Sequence, residues 1–251
     1  MNAKVPIDII ILSYAKTDLL KGLTIKTIKS VLESENPAYI QFNILVIESN
    51  KKLKPYTFEH ATTIYPRRKF GFHKYLNLGI SLTSSPYLCL CNNDLIFHQN
   101  WASKIVSAMK KDPSLLSASP YCPNYHNEQG LAQGGPPLEG YFNVITGWCI
   151  FLRRELFAMI GLLDENLTFW YSDADYCQTL IENRIKHYLI PTSIVTHLGS
   201  ESFKTLTPLE KRKLTAGPKL YYDYKWKHGS WLRFLTQKLL FNIKMLVKQD
   251  D

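Results

Sequence analysis

Two aspartates, Asp173 and Asp175, stand one residue apart in the segment FWYSDADYC, between three aromatic residues and a tyrosine. Such neighbours predict desolvated surroundings, in which an ionised carboxylate is unfavourable unless it is paired or performs chemistry. A carboxylate placed in this way can remove a proton from a reacting hydroxyl group. The apolar residues that follow have helical spacing, so the aspartates also open a predicted helix, and capping of that helix is the alternative explanation.

A second polar cluster, Asn92-Asn93-Asp94, interrupts the apolar segment SSPYLCLCNNDLIF at residues 84–97. The residues before the cluster predict a buried strand, so the cluster is either a polar turn or a site at the end of that strand. One carboxylate with flanking amides suits a hard divalent cation that takes most of its ligands from water and substrate phosphates.

The first fifty residues predict a strand, a helix and a second strand. PIDIIILSY and FNILVIE are rich in β-branched residues, as buried strands are. Between them, apolar residues recur at helical spacing: Leu19, Leu23, Ile25, Ile28, Val31 and Leu32. A parallel βαβ start brings four polar residues to one edge of a sheet, where open α/β sheets bind ligands: Ser13, Tyr14, Glu48 and Asn50. Capping of a turn by Glu48 fits the spacing as well.

The rest of the chain continues the alternation of helices and strands. KFGFHKYLNLGI predicts a glycine turn and a short helix, and residues 112–140, rich in Pro, Gly, Asn and Ser, predict a long loop that is either a lid or an uninvolved surface segment. Residues 141–154 predict a strand, and ELFAMIG predicts a short helix that Gly161 ends. HYLIPTSIVTHLGSES predicts a last core strand with His197 at its end.

The composition is typical of an ordinary globular chain. The 251 residues are 45% hydrophobic and 20% charged, which is enough to bury a large core. Five cysteines without CxxC spacing predict neither a disulfide framework nor a zinc ribbon, and the apolar run at residues 7–12 is too short for a signal peptide or a membrane span. We therefore expect a cytoplasmic protein. The sequence contains no GxSxG, Walker A, HExxH or GxGxxG pattern, which disfavours those enzyme classes.

In their order along the chain, these motifs resemble those of the family 2 inverting glycosyltransferases, from about Ile7 to Ser202. The strand that ends in SY is similar to the start of the family's nucleotide pocket, FGFHKYLNLGI to its asparagine-and-glycine helix, and NND to a variant of its DxD-type metal motif in rhamnosyltransferase-like members. The most specific match is GWCIFLRRELFAMIGLLDENLTFWYSDADYC, with the family's glycine, apolar strand, basic pair, GxxDE and acidic cluster. The resemblance implies an α/β fold of the GT-A type, a Rossmann-like and mostly parallel central sheet flanked by helices.

The same resemblance implies roles for individual residues. Asp173 aligns with the base that takes the proton from the acceptor hydroxyl, and Asp94 and His197 align with ligands of a Mn²⁺ or Mg²⁺ ion that neutralises the diphosphate leaving group. Binding of the nucleotide-sugar donor falls to a larger set: Ser13, Tyr14, Glu48, Asn50, Asn77, Asn92, Asn93, Trp148 and Asp175. The implied reaction is inverting transfer of a sugar from a nucleotide diphosphate sugar to a hydroxyl acceptor, in polysaccharide or glycolipid synthesis.

Two positions depart from the family's carboxylates. Asn92 replaces the first acid of the metal motif, and Ser172 replaces the glutamate of the family's Glu-Asp-x-Asp cluster. These departures leave a non-catalytic sugar-nucleotide or carbohydrate-binding module as an alternative function. A transferase whose acceptor is a modified DNA base is a second alternative, since the end of the chain is basic.

Residues 203–251 extend beyond the resemblance, so we predict a glycosyltransferase domain at 1–202 and a basic helical extension at 203–251. From residue 204 onward, eleven Lys or Arg residues stand against four Asp or Glu residues, and most of the net charge of +9 lies there. At residues 231–247, a turn of 100° per residue predicts an amphipathic helix with an apolar stripe of Leu232, Leu235, Leu239, Ile243 and Leu246, opposite Arg233, Gln237, Lys244 and Lys248. Packing on the domain or in a homodimer, attachment to an anionic membrane surface, and nucleic-acid binding through YYDYKWKHGSW are its alternative roles.

Overall fold

The computed structural model describes residues 3–50, 55–199, 201–227 and 229–247, without the side chains of residues 201, 202 and 247. The strands are β1 (Val5–Ser13), β2 (Ile40–Glu48), β3 (Thr62–Ile64), β4 (Tyr87–Asn92), β5 (Leu95–Phe97), β6 (Ser117–Tyr121), β7 (Leu138–Glu139), β8 (Cys149–Arg153) and β9 (His187–His197). The helices are α1 (Asp18–Glu33), α2 (Phe72–Ser81), α3 (Trp101–Lys111), α4 (Pro123–His126), α5 (Leu156–Ile160), α6 (Ser172–Glu182), α7 (Glu201–Lys204), α8 (Pro208–Trp226) and α9 (Trp231–Val247).

One twisted sheet organises these elements in the order β3-β2-β1-β4-β8-β6-β9-β5, with β7 paired to β9. The strands from β3 to β4 are parallel, whereas β8 is antiparallel to both of its neighbours. The predicted α/β class is therefore confirmed, although the sheet is mixed rather than mostly parallel. Its pairing changes direction at β4 and β8, close to the polar cluster at residues 92–94.

Alternate residues of β1 face two separate helical layers. Ile7, Ile9 and Ile11 pack with the buried faces of α1 and α3, and Ile10 and Leu12 pack with α2, α5 and α6. Both faces of the central strands are thus covered, which explains their nearly continuous apolar sequence. The predicted helix between β1 and β2 is confirmed as α1, and Thr17 caps its N-terminus by accepting a hydrogen bond from the Leu20 amide.

The buried face of α1 differs from the predicted stripe. Leu19 and Ile25 are exposed, and their places toward the sheet are taken by Thr24 and Thr27. These hydroxyls are buried at little cost because they are hydrogen-bonded. Thr27 donates to the backbone carbonyl of Asn93 at 2.9 Å, and Thr24 accepts from the side-chain nitrogen of Asn93 at 2.8 Å. Two polar residues therefore tie α1 to the polar cluster after β4.

The prediction of a loop at residues 112–140 was wrong in part. This segment contains β6, a fully buried strand between β8 and β9. Its sequence SASPY lacks the β-branched residues that signal a strand. The hydroxyls of Ser117 and Ser119 bond to the two ring nitrogens of His187 on β9, at 2.8 and 3.0 Å. The pairing with β9 shifts register after Pro120, whose nitrogen cannot donate a hydrogen bond.

The strand predicted at residues 141–154 is also shorter than expected. Only Cys149–Arg153 forms β8, and residues 141–146 form turns in which the Val144 and Ile145 amides bond back to the Tyr141 carbonyl. All five cysteines are buried and free, so the expectation of no disulfide framework is confirmed. Within the described residues, no helix is long and apolar enough to cross a membrane.

We expect the protein to lose stability as the pH falls from about 6.5 toward 5. Burial lowers the pKa of His73, His126 and His187, that of His187 to about 3. Below the ordinary histidine pKa the unfolded chain binds protons that the folded protein does not, so the free energy of unfolding decreases as the pH falls.

Urea unfolding at a series of pH values measures this dependence. His187→Gln should make the dependence shallower, and His98→Gln, at an exposed histidine, should leave it unchanged. Equal slopes for the wild type and the His187→Gln variant would contradict the account.

Candidate functional site

The register of three parallel strands brings the first polar residues together. Ser13 at the end of β1 pairs with Glu48 at the end of β2, and on the other side Leu12 pairs with Asn92 at the end of β4. All three strands therefore end at one edge of the sheet. This edge is where open α/β sheets place their ligands.

A cavity of about 290 Å³ opens at this edge. One side is polar and consists of the ends of β1, β2 and β4, and the other side is aromatic and aliphatic. The lining residues are Leu12, Ser13, Tyr14, Ser49, Phe70, Phe72, Asn92, Asn93, Asp94, Phe169, Phe203, Leu206 and Leu214. The structure thus brings five of the predicted site residues into one cavity wall: Ser13, Tyr14, Asn92, Asn93 and Asp94.

The carboxylate of Asp94 faces the imidazole of His197 at the polar side of the cavity. The distance from Asp94 Oδ1 to His197 Nε2 is 3.3 Å, and both side chains are largely buried. Neither atom has a hydrogen-bond partner among the described residues. Apart from this contact with each other, the described residues supply neither buried atom with a hydrogen bond, so the pair can accept a ligand that both of them bind.

Strand pairing fixes the two residues beside each other. β5 runs antiparallel to β9 with Leu95 opposite His197, and the Leu198 amide donates to the Asp94 carbonyl at 2.9 Å. The indole of Trp148 stacks on the His197 ring with centroids 5.2 Å apart and an interplanar angle of 14°. Trp148 therefore lies behind the histidine, outside the cavity lining, and orients the ring by stacking.

The geometry of this pair fits a divalent cation. Two ligands at right angles around an ion with bonds of roughly 2.1 Å lie about 3 Å apart, close to the observed 3.3 Å. Among the described residues, no group of three His, Cys, Asp or Glu side chains surrounds one point. Asp94 and His197 would thus supply two ligands and leave the others to water or substrate oxygens.

Glu48 and Asn50 do not line the cavity. The Glu48 carboxylate is fully buried and accepts hydrogen bonds from Ser13 Oγ at 2.7 Å, the Asn50 amide at 2.7 Å and the hydroxyl of Tyr56 at 3.2 Å. The side chain of Asn50 donates to the Ala15 carbonyl at 2.9 Å. Both residues hold the loops after β1 and β2 in place, which is the turn-capping alternative for Glu48.

Asn77 is also occupied inside the protein. Its side-chain oxygen accepts from the Leu163 amide at 3.0 Å, and its nitrogen donates to the Leu163 carbonyl at 2.8 Å. This pair of bonds connects α2 to the segment before α6. Asn77 therefore lies behind the site and does not line the cavity.

The two aspartates of FWYSDADYC have opposite environments. Both lie in the first turn of α6, as predicted, but Asp173 is exposed, so the expectation of desolvated surroundings was wrong for it. Gly147 faces it closely: a Cβ at position 147 would lie 3.0 Å from the Cβ of Asp173. Asp173 is four residues from Phe169, which lines the cavity. Its carboxylate can meet a substrate group that arrives from solvent.

Comparison with known proteins agrees with this geometry. The family model described as glycosyl transferase family 2 matches residues 8–157. The chain belongs to glycosyl transferase family 2. The comparison with curated proteins found no match.

Two solved structures share the fold of this chain, which is of the GT-A type. A crystal structure of GalNAc-T7 with UDP, GalNAc and Mn²⁺ matches with a TM-score of 0.58 at 14% identity, over 78% of this chain and 44% of that one. A crystal structure of S. aureus TarS 1-349 matches with a TM-score of 0.55 at 10% identity, over 89% of this chain and 73% of that one. The chain therefore spans less than half the length of the GalNAc-T7 chain.

Asp175 is buried and held by the C-terminal extension. Lys225 Nζ lies 2.8 Å from Asp175 Oδ1, and Trp226 Nε1 donates to the same oxygen at 2.7 Å. Lys225 Nζ also lies 2.9 Å from Asp164 Oδ2. Asp175 is thus a partner of α8 and does not line the cavity, so its predicted place among the donor-binding residues has no support in the geometry.

These contacts give the segment YYDYKWKHGSW a structural role. Tyr221 donates to Asp164 at 2.9 Å, and Lys227 pairs with Asp223 at 2.7 Å. Lys225, Tyr221 and Trp226 are thus engaged by carboxylates within the protein, whereas Lys227 and Trp231 are exposed. Most of the segment therefore has a structural role, and the geometry gives the predicted binding of nucleic acid no support. The contacts with Asp164 and Asp175 join residues 50 to 61 positions apart, and no local sequence pattern predicts them.

The sequence interpretation also missed the apolar wall of the cavity. Phe70 and Phe72 flank the glycine turn before α2, and Phe203, Leu206 and Leu214 come from the C-terminal extension. The rings of Phe169 and Phe203 are stacked, with centroids 6.0 Å apart. Aromatic residues beside Gly71 were the available signal, whereas no pattern in residues 203–214 indicates that they line a site.

Loss of the Lys225 cation should destabilise the protein. Burial raises the pKa of Asp164, but hydrogen bonds from Lys225, Asn166 and Tyr221 outweigh this effect and lower it to about 2. Lys225→Met would leave the carboxylates of Asp164 and Asp175 without a cation, which we expect to reduce the free energy of unfolding by about 2–4 kcal/mol.

Urea unfolding near neutral pH measures the loss. The matched control is Lys219→Met on the same helix, where an exposed pair with Asp223 is broken at a cost below about 1 kcal/mol. Equal losses in the two variants would show that the Lys225 bridge is not a special contact.

Proposed function

We propose that this protein is an inverting, divalent-metal-dependent glycosyltransferase that moves a sugar from a nucleoside diphosphate sugar to a hydroxyl group of a glycan or glycolipid. The observation that carries the proposal is the pair of Asp94, in the cavity wall, and His197 beside it, because the described residues supply no hydrogen bond to Asp94 Oδ1 or to His197 Nε2. A cation bound by both side chains would be the partner that Asp94 Oδ1 and His197 Nε2 lack.

Asp94 and His197 would hold Mn²⁺ or Mg²⁺, and the bound ion supplies charge neutralisation to the diphosphate leaving group. The GalNAc-T7 structure contains UDP, GalNAc and Mn²⁺, and its likeness in fold supports the same class of donor here. Asn92 stands beside Asp94 where the family's first acid would be. Its neutral amide lowers the negative charge of the site, which reduces repulsion of the diphosphate.

The cavity offers the donor a polar side and an aromatic side. Tyr14 and Asn93 can orient the nucleotide through hydrogen bonds, with the side-chain amide of Asn93 itself fixed by Thr24 at 2.8 Å. Ser13, whose hydroxyl is bonded to Glu48, forms part of the cavity wall. Phe70, Phe72 and Phe169 offer ring faces and edges to a base or to the apolar face of a sugar. The donor would thus lie along the carboxyl edge of the sheet.

Asp173 is the general base in this proposal. Its carboxylate takes the proton from the acceptor hydroxyl as that oxygen attacks the anomeric carbon. The bond between this carbon and the diphosphate oxygen breaks on the opposite face, and its electron pair leaves with the nucleotide. Asp173 is free to meet the acceptor because it is exposed, whereas Asp175 is neutralised by Lys225 and serves to fix the first turn of α6.

Asp173→Asn separates a catalyst from a binding module. We expect kcat for sugar transfer to fall by about 10²–10⁴ while the affinity for the donor is retained, because only proton transfer is lost. The assay is turnover of a panel of nucleotide sugars with Mn²⁺ and with chelator, and donor affinity is measured by calorimetry. Asp18→Asn is the matched control, since Asp18 is also an exposed aspartate in the first turn of a helix.

Each alternative has its own outcome in this assay. Donor binding without turnover in the wild type, unchanged in the Asp173→Asn variant, would indicate a non-catalytic module and contradict the proposal. Transfer to duplex DNA that carries hydroxylated bases, in place of glycan or glycolipid acceptors, would keep the chemistry and change the acceptor.

A further inference from the structure

Helix α9 carries an apolar stripe that the rest of the protein leaves uncovered. Its side chains are between 42% and 74% exposed: Leu232, Leu235, Leu239, Ile243 and Leu246. Leu240 beside the stripe is 52% exposed. An exposed patch of this length on a single helix is unusual for a protein surface and marks a contact with another surface.

The opposite face of α9 anchors the helix to the protein. Phe234 is buried and stacks on Tyr224 of α8 with ring centroids 4.9 Å apart, and Met245 is also buried. The ring of Phe241 lies against Gly217 of α8, where an added Cβ would be 3.4 Å from the ring. The stripe predicted from the sequence is therefore the outer face of α9, and a second set of apolar residues packs inward.

Positive charge borders the stripe on both sides. At 100° per residue, Arg233 and Lys244 lie beside one edge of the stripe, and Lys238 lies beyond the other edge. Residues 231–247 contain no Asp or Glu. Lys248, which was predicted for the same polar side, lies outside the described residues. A helix with an uncovered apolar face and only basic flanks matches the chemistry of an anionic lipid–water interface.

We propose that α9 docks on an anionic bilayer surface, with its axis in the membrane plane, its leucines among the lipid chains and its cations at the headgroups. A second copy of the chain fits the face less well. A two-fold contact between stripes would bring basic flanks together with no carboxylate in α9 to pair with them. Nucleic acid fits less well too, because the stripe is aliphatic and the half-exposed ring of Trp231 at the start of α9 packs with Tyr224 and Phe234.

Docking would place the cavity close to the membrane. Leu214 of α8 lines the cavity, and Gly217, one helical turn further along, contacts α9 through Phe241. On the proposed function, an acceptor attached to a lipid would then reach the donor without leaving the bilayer surface. The docking itself is independent of that function, because it needs neither donor nor turnover.

Co-sedimentation with lipid vesicles tests the proposal without any nucleotide sugar. We expect the wild-type protein to bind vesicles of equimolar phosphatidylcholine and phosphatidylglycerol, and to bind at least tenfold more weakly to phosphatidylcholine alone. Leu235→Gln/Leu239→Gln should weaken binding to the anionic vesicles at least tenfold. Arg233→Gln/Lys244→Gln should weaken it and reduce its dependence on salt.

The matched control is Leu19→Gln/Leu82→Gln, which changes a leucine in α1 that is 72% exposed and a leucine just after α2 that is 56% exposed. It should bind like the wild type. Equal loss in the control, or no binding by the wild type, would overturn the proposal. A wild-type dimer that Leu235→Gln/Leu239→Gln dissociates, without vesicle binding, would instead assign the stripe to a contact between copies. Turnover of soluble donors is measured on the variant that no longer binds vesicles. Retained turnover would show that the loss of docking is distinct from a failure of the proposed function.

Discussion

The site depends on two buried polar atoms that lie beside each other and receive no hydrogen bond from the described residues. Asp94 Oδ1 and His197 Nε2 lie 3.3 Å apart without a hydrogen-bond partner among the described residues. Each such group costs roughly 1–3 kcal/mol when buried. The antiparallel pairing of β5 with β9 and the stacking of Trp148 hold the two in place against that cost. Such an arrangement is expected where a ligand completes the site.

A second constraint lies at the start of α6. Asp175 and Asp164 are two carboxylates in partly desolvated surroundings, and Lys225 bridges them. Asp173, two residues before Asp175, is exposed at the first turn of the same helix. Since Lys225 belongs to α8 and Phe203, Leu206 and Leu214 line the cavity, the C-terminal extension is part of the site. It is also the part that carries the uncovered stripe of α9.

The elements that could be predicted from the sequence are those whose residues all favour one type of secondary structure. β1, α1 and β2 have strong apolar patterns, and the polar residues after them could be placed at one sheet edge from topology alone. β6 could not be predicted, because SASPY lacks strand-forming residues and is held by its pairing with β8 and β9 and by the hydrogen bonds of its serines with His187. Likewise, Thr24 and Thr27 look like surface residues until their partners near Asn93 are known.

The sequence predicted which residues belong to the candidate site better than it predicted how they are arranged. Asp94 and His197 were named as partners and lie side by side, and Ser13, Tyr14, Asn92 and Asn93 line the cavity. Glu48 at the sheet edge, Asn77 on α2 and Asp175 on α6 were also predicted for the site, but their partners inside the chain take up their hydrogen bonds. Which polar group faces a cavity and which supports it is decided by contacts across 35 to 86 positions, and these are absent from local patterns.

The most direct test of the account is binding of Mn²⁺ itself, followed by electron paramagnetic resonance of the free ion. We expect one saturable site that a nucleoside diphosphate strengthens, that Asp94→Asn removes and that His197→Gln weakens at least tenfold. The nearby exposed His98, bonded to Thr196 at 2.9 Å, provides the control variant His98→Gln, which should bind as the wild type does. If Mn²⁺ does not bind with or without the nucleotide, or if it binds equally to all three variants, the pair of Asp94 and His197 is not a metal site and the account fails.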